Sequence, residues 1–218
     1  QAAGEQVNWV TFQGFFWWPR VLMGIENHLT AFYDMPEVMH EINQGLANHI
    51  VVALRKACEV FHPTWATIAE DMAYNHGPMV GKNLFDEFLA PYYRQILPAF
   101  RELGVPLIVD TDGQCEPMLE WLEEVGVDGC LPMEARAGVD VARVRANHPN
   151  LAMVGGFDKT AMYGSEEEVE AEFARLLPVA RKGRFVPSVD HQTPPMVTVE
   201  HYRSYLAGLD RLAAAAIH

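Results

Sequence analysis

The sequence predicts an α/β protein of the (β/α)8-barrel type, represented by six consecutive β/α units and therefore partial. Two observations carry that prediction. Short apolar runs alternate with longer amphipathic stretches along the chain. Every run after the first also ends in side chains able to do chemistry: Glu70-Asp71, Asp110-Thr111-Asp112, Glu134, Asp158-Lys159 and Asp190-His191. A barrel gathers the C-terminal ends of all its strands at one mouth, whereas an open doubly wound sheet brings together only those near its switch point. The repeated polar ending therefore favours the barrel.

Taken in order, the runs that predict strands are 7–15, 64–71, 106–112, 128–134, 151–158 and 185–191, each short enough to be a buried parallel strand. Between them, Asp34 with Pro36 and Glu37 predicts a helix start, and Ser165 with Glu168 predicts a capping box ahead of Val169, Phe173, Leu176 and Leu177. Further helices are expected over 84–103, 116–125, 141–147 and 199–215, with Gly104, Gly126 and Gly183 as C-terminal stops. No linker or low-complexity tract divides residues 1–218, so one domain is expected. The chain begins at Gln1 rather than Met, and an upstream part of that domain is expected to be missing, leaving strand edges that invite a second copy or the missing segment.

Composition narrows the function classes. The 218 residues are 50% hydrophobic and 21% charged, the balance of an ordinary globular protein. With 16 Lys+Arg against 29 Asp+Glu, the net charge of -13 disfavours nucleic acid and anionic membranes, and no basic run offsets it. Three cysteines without a C-x-x-C pair indicate neither a disulfide framework nor a Cys-rich zinc module, which fits a cytoplasmic setting. No stretch has the length of a membrane span.

If the polar endings converge, many carboxylates surround His191 and Lys159, and such crowding calls for a cation, a basic partner or raised proton affinity. In D-T-D, residues two apart share a side, so Asp110 and Asp112 face the mouth together and His191 adds an imidazole. That O/N donor set suits zinc, manganese or iron more than calcium. Glu70 or Asp71 would be an added ligand or general base. Glu134, Asp158 and Lys159 are expected to bind substrate, joined by Phe15 and Trp17 from the aromatic cluster at residues 12–18, most of which is expected to pack. A carboxylate at a strand end can equally cap the next helix. Gly155-Gly156 lacks the spacing of a phosphate loop.

The stretches EDMAYNHGPMVGKNLFDEFLAPYYR, IVDTDG, VGVDGCLPME, GGFDK and PSVDHQTPP resemble, in order and spacing, the uroporphyrinogen decarboxylase superfamily. The likeness runs from about Phe12 nearly to the end and implies a single-domain (β/α)8 barrel of which this chain is similar to the last two thirds. In the decarboxylase branch, the resemblance places the late catalytic His on His191, the Tyr position near Leu22 and the Ser position near Asp71. In the cobalamin-linked methyltransferase branch, whose zinc is held by His-x-Cys and a late Cys, Asp110, Asp112 and His191 stand at those positions. The resemblance implies metal-assisted methyl transfer from a small methylated substrate to a corrinoid-type acceptor or corrinoid protein. The alternatives are cofactor-free decarboxylation of a tetrapyrrole or another polycarboxylate, and a silent barrel fragment acting as a binding or assembly module.

Overall fold

The computed structural model describes residues 7–217. Its strands are β1 (Trp9–Gln13), β2 (Trp65–Ala69), β5 (Leu107–Asp110), β6 (Gly129–Met133), β7 (Ala152–Phe157) and β8 (Phe185–Val189), with a two-residue hairpin of β3 (Ala73–Tyr74) and β4 (Gly77–Pro78). The six longer strands form one sheet in chain order, β1-β2-β5-β6-β7-β8, and every pairing is parallel. The helices are α1 (Trp17–Met23), α2 (Ile25–Asp34), α3 (Pro36–Val60), α4 (Lys82–Phe88), α5 (Ala90–Leu103), α6 (Glu116–Val125), α7 (Val141–Asn147), α8 (Glu166–Ala180) and α9 (Val199–Ala216). Among the described residues no helix is long and apolar enough to cross a membrane.

Register explains the alternation read from the sequence. One row across the sheet runs Phe12, Ile68, Val109, Cys130, Met153, Phe185, and all but Phe12 are buried. Phe12 meets Phe100 of α5 edge-on at 6.4 Å, so this row is the face that packs under helices. The next row toward the strand ends, Gln13, Ala69, Asp110, Leu131, falls on the opposite face, where Ala69, Asp110 and Leu131 line a cavity. The polar endings thus sit at the C-terminal end of a partial barrel.

Local signals held where their partners are close in sequence. Ser165 and Glu168 form the reciprocal capping box at the start of α8, and Gly104 and Gly126 close α5 and α6 in the left-handed conformation. Asp34 does not cap α3: it is the last residue of α2, and Met35 stands at the cap without a side-chain bond. The helix expected over 84–103 is two helices broken at Leu89, with Pro91 near the start of the second. Gly155 and Gly156 lie inside β7 at φ 109° and 81°; a Cβ on Gly156 would stand 2.8 Å from Val141 Cγ1, so these glycines serve close packing.

Among the described residues the first and last strands each pair on one side only, β1 with β2 and β8 with β7. Trp9 and Val186 on these edges are 55% and 50% exposed. Open, apolar edges template pairing with another chain. The chain studied alone is expected to self-associate, and the double substitution Trp9→Lys with Val186→Lys should shift it toward monomer in sedimentation velocity. A wild-type chain that stays monomeric would contradict this expectation.

Candidate active site

The site begins with the segment that follows β5. Thr111 turns inward, where its Oγ1 accepts the backbone N–H groups of Met72 and Ala73 at 3.0 and 3.2 Å, and its own N–H reaches Leu131 O at 2.8 Å. Asp110 and Asp112 consequently share the other side and line one cavity of about 500 Å3 with Asp71, Asp190, His191 and Trp17. Gly113 makes the exit possible: its φ is 81°, a Cβ there would fall 2.6 Å from the Tyr74 backbone, and its N–H is accepted by Glu134 Oε2 at 2.9 Å.

His191 stands 3.3 Å through Nε2 from Asp112 Oδ1, and its Nδ1 is 3.9 Å from Glu134 Oε1, which lies 3.6 Å from Lys159 Nζ. Asp71 adopts φ 43° and receives Arg20 Nη1 on its Oδ2 at 2.8 Å and on its carbonyl at 3.0 Å. The Arg20 guanidinium also lies 4.9 Å over the Trp17 ring. Burial, with the charges of Asp112 and Asp71 added, pushes the Asp110 carboxyl up to about 6, while His191 pulls the other way. Burial likewise raises Asp71, against the pull of Arg20. Asp190 is buried, its Oδ2 accepts the Ala135 N–H at 3.0 Å, and burial raises it against the pull of the Lys159 charge and of backbone N–H groups.

Several expected site residues have other work. Glu70 is fully buried beside the cavity, not in its wall. Its carboxylate accepts the N–H groups of Phe15, Phe16 and Trp17 at 2.9, 2.7 and 3.3 Å and the Tyr93 hydroxyl, so it fixes the β1–α1 turn and is no ligand or base in the mouth. A Cβ on Gly14 would collide with that carboxylate, which is why glycine precedes the turn. Phe15 packs against Tyr93 and Tyr92 with ring centres 5.1 and 5.6 Å apart, leaving Trp17 as the ring that reaches the cavity. Asp158 is a cap: its Oδ1 accepts from Thr160 N and Oγ1 at 2.8 and 2.7 Å at the start of the 3-10 turn Lys159–Tyr163. Asp110, Asp112 and His191 share the cavity, yet among the described residues no three His, Cys, Asp or Glu side chains gather as ligands of one ion. His191 instead pairs with Asp112, so the expected metal set does not fit as arranged.

Arg20 and Asp190 were absent from the expected set. Nothing in the spacing of Arg20 connects it to Asp71, far along the chain; Asp190 was legible as a strand ending but not as part of a cavity wall.

Comparison with known proteins agrees with this fold. The chain is 26% identical over 195 residues to a uroporphyrinogen decarboxylase of Cellvibrio japonicus, covering 84% of this chain and 50% of that protein. It is 28% identical over 159 residues to a uroporphyrinogen decarboxylase of Neisseria meningitidis, covering 68% and 41%. The chain thus spans about half the length of the curated relatives it matches. A methyltransferase from Methanosarcina mazei has the same fold, with a TM-score of 0.72 at 15% identity over 96% of this chain and 60% of that one. The family model of uroporphyrinogen decarboxylase matches residues 16–210. With strand ends converging on one mouth and residues 16–210 matched by the family model, the chain belongs to the uroporphyrinogen decarboxylase family.

Proposed function

We propose that the chain carries the active site of a cytosolic enzyme that moves a methyl group from a small methylated substrate to a corrinoid-type acceptor. The charge of the mouth carries this reading. Four cavity-lining residues are aspartates, Asp71, Asp110, Asp112 and Asp190, while Arg20 and His191 are already engaged by Asp71 and Asp112. A polycarboxylate would enter against those charges; a small neutral or cationic substrate would not.

Asp110, raised to about 6, is ionised in most molecules at neutrality but protonated far more often than an ordinary aspartate, and that protonated fraction acts as general acid toward the heteroatom that loses the methyl group. His191 lies between Asp112 and Glu134, its Nε2 3.3 Å from one carboxylate and its Nδ1 3.9 Å from the other, a position from which it orients substrate at the mouth. Trp17 lines the cavity, and Arg20, over its ring, fixes Asp71. The corrinoid-type acceptor supplies the nucleophile that takes the methyl group. No step is assigned to a divalent metal, because the donors do not gather around one point. The strands that would close the ring are assigned to further polypeptide beyond these residues.

Cofactor-free decarboxylation of uroporphyrinogen is the second reading, favoured by the naming of the relatives and by His191 at the mouth. The test incubates the full chain with cob(I)alamin and a panel of small O- and N-methylated compounds, following the methylcobalamin spectrum, beside uroporphyrinogen with CO2 collected. Methylcobalamin formation that persists with a chelator present is expected. CO2 release with no methyl transfer would establish the second reading instead.

A further inference from the structure

Which edge of the sheet associates, and in which sense, follows from the backbone. In a parallel ladder alternate residues turn both their N–H and their C=O to the same neighbour. In β1 the even positions face β2: Asn8 O accepts the Thr64 N–H at 2.7 Å, and the Gly14 N–H reaches Ala69 O at 2.8 Å. Trp9, Thr11 and Gln13 therefore turn their backbone groups outward, and among the described residues no strand lies beyond them. The segment 7–15, VNWVTFQGF, carries neither a charge nor a proline to blunt that edge.

β8 is the opposite case. The Met153 N–H to Arg184 O at 2.9 Å and the Asp190 N–H to Phe157 O at 3.0 Å turn its even positions to β7, which leaves Phe185, Pro187 and Val189 facing out. Pro187 has no N–H to offer. The Val189 N–H goes to the Tyr205 hydroxyl of α9 at 2.8 Å, and the Val189 carbonyl accepts the Ser188 hydroxyl at 3.3 Å. Pairing β1 of one copy with β8 of the next would build an open fibre, and β8 withholds most of the groups such a fibre needs. Pairing β1 with β1 about a twofold axis closes at two copies.

The β1 edge is complementary to itself. Its outward residues are all odd, so an antiparallel register with Thr11 opposite Thr11 sets Trp9 opposite Gln13 and gives every outward donor an acceptor. Val10 then stands opposite Phe12 on the other face, a β-branched and aromatic pair.

We infer that the chain forms a twofold dimer with a second copy of itself through antiparallel β1–β1 pairing centred on Thr11, while β8 is closed to association. Strands that completed the ring in a longer polypeptide would take the same edge and exclude the copy. The pairing is independent of the reaction performed at the mouth.

Sedimentation velocity of the full chain at micromolar concentration, with cross-linking of single-cysteine additions, tests it. Wild type should be a dimer with no larger species. Thr11→Pro removes an outward N–H at an edge position and should weaken the dimer roughly tenfold or more. Thr11→Val loses the hydroxyl bond to Thr67 that Thr11→Pro also loses, keeps the N–H, and should remain a dimer. Val186→Lys on β8 should change nothing. In the inferred register the two Thr11 Cα atoms lie roughly 5.5 Å apart, within disulfide reach. Under diamide, Thr11→Cys should therefore cross-link copies, whereas Gln13→Cys, which faces Trp9 of the other copy, should not. A monomeric wild type would overturn the inference and reserve the edge for a strand of another polypeptide. So would species that grow beyond the dimer, or dissociation by Val186→Lys as complete as by Thr11→Pro. Should Thr11→Pro not fold, the contrast between Thr11→Cys and Gln13→Cys decides, and equal cross-linking of the two would overturn the register.

Discussion

Glu70→Ala is expected to cost about 4 kcal/mol of stability, because it leaves several buried donors without an acceptor at about 1–3 kcal/mol each before relaxation. The orphaned groups are the N–H of Phe15, Phe16 and Trp17 and the hydroxyl of Tyr93, all tied to one carboxylate beneath the β1–α1 turn. For a chain of this size the loss lowers the melting temperature by roughly 10 °C. Calorimetric melting checks it, and a shift within a degree or two would show that the turn holds without Glu70. The same residue gives stability a pH dependence. Burial pushes its carboxyl up to about 7 from an ordinary 4.5, against the pull of the four donors. A folded-state value above the unfolded one means the native chain binds the proton more tightly. Its contribution is therefore complete below about 4.5 and lost as pH rises through about 7. Wild-type stability should fall over that window, and Glu70→Gln should flatten the fall.

Asp110→Asn is expected to lower kcat by roughly 10²- to 10⁴-fold, the usual range for removing a general acid. Folding should survive, since the substitution keeps the shape and removes one negative charge from the neighbourhood of Asp71 and Asp112. The pH profile separates this role from a structural one. A general acid must hold its proton, so wild-type turnover should decline as pH rises through about 6, and the variant should lose that limb. Methylcobalamin formation from cob(I)alamin over a pH series reads both effects. A variant of wild-type activity, or one that keeps the limb, would remove Asp110 from the chemistry.

How much of this was legible in the sequence depended on distance along the chain. The six strands, the Ser165 capping box and the shared side of Asp110 and Asp112 follow from periodicity or from residues a few positions apart, and all three stand in the structure. The break at Leu89 was hidden because apolar periodicity continues across it. Glu70 and Asp71 read alike as a strand ending. Only the fold shows that one turns under the turn after β1 while the other turns to the mouth, because their partners lie far along the chain, in the segment 15–20 and, for Glu70, also at Tyr93. Asp158 spends its carboxylate on a local cap, the ordinary use of an acid after a strand. The convergence of Asp190 with Asp110 required the curvature of the sheet, which no local pattern encodes.

The convergence of carboxylates at the mouth is best tested by the proton affinity of Asp110, read from the carboxyl 13C shift of the labelled chain across pH. Asp110 should titrate at about 6, fall toward the ordinary 3.8 in Asp112→Asn and in Asp71→Asn, and rise in His191→Ala, since each change removes a neighbour of known sign. An Asp110 that titrates near 3.8 in wild type and ignores all three substitutions would mean that these strand ends do not form one site.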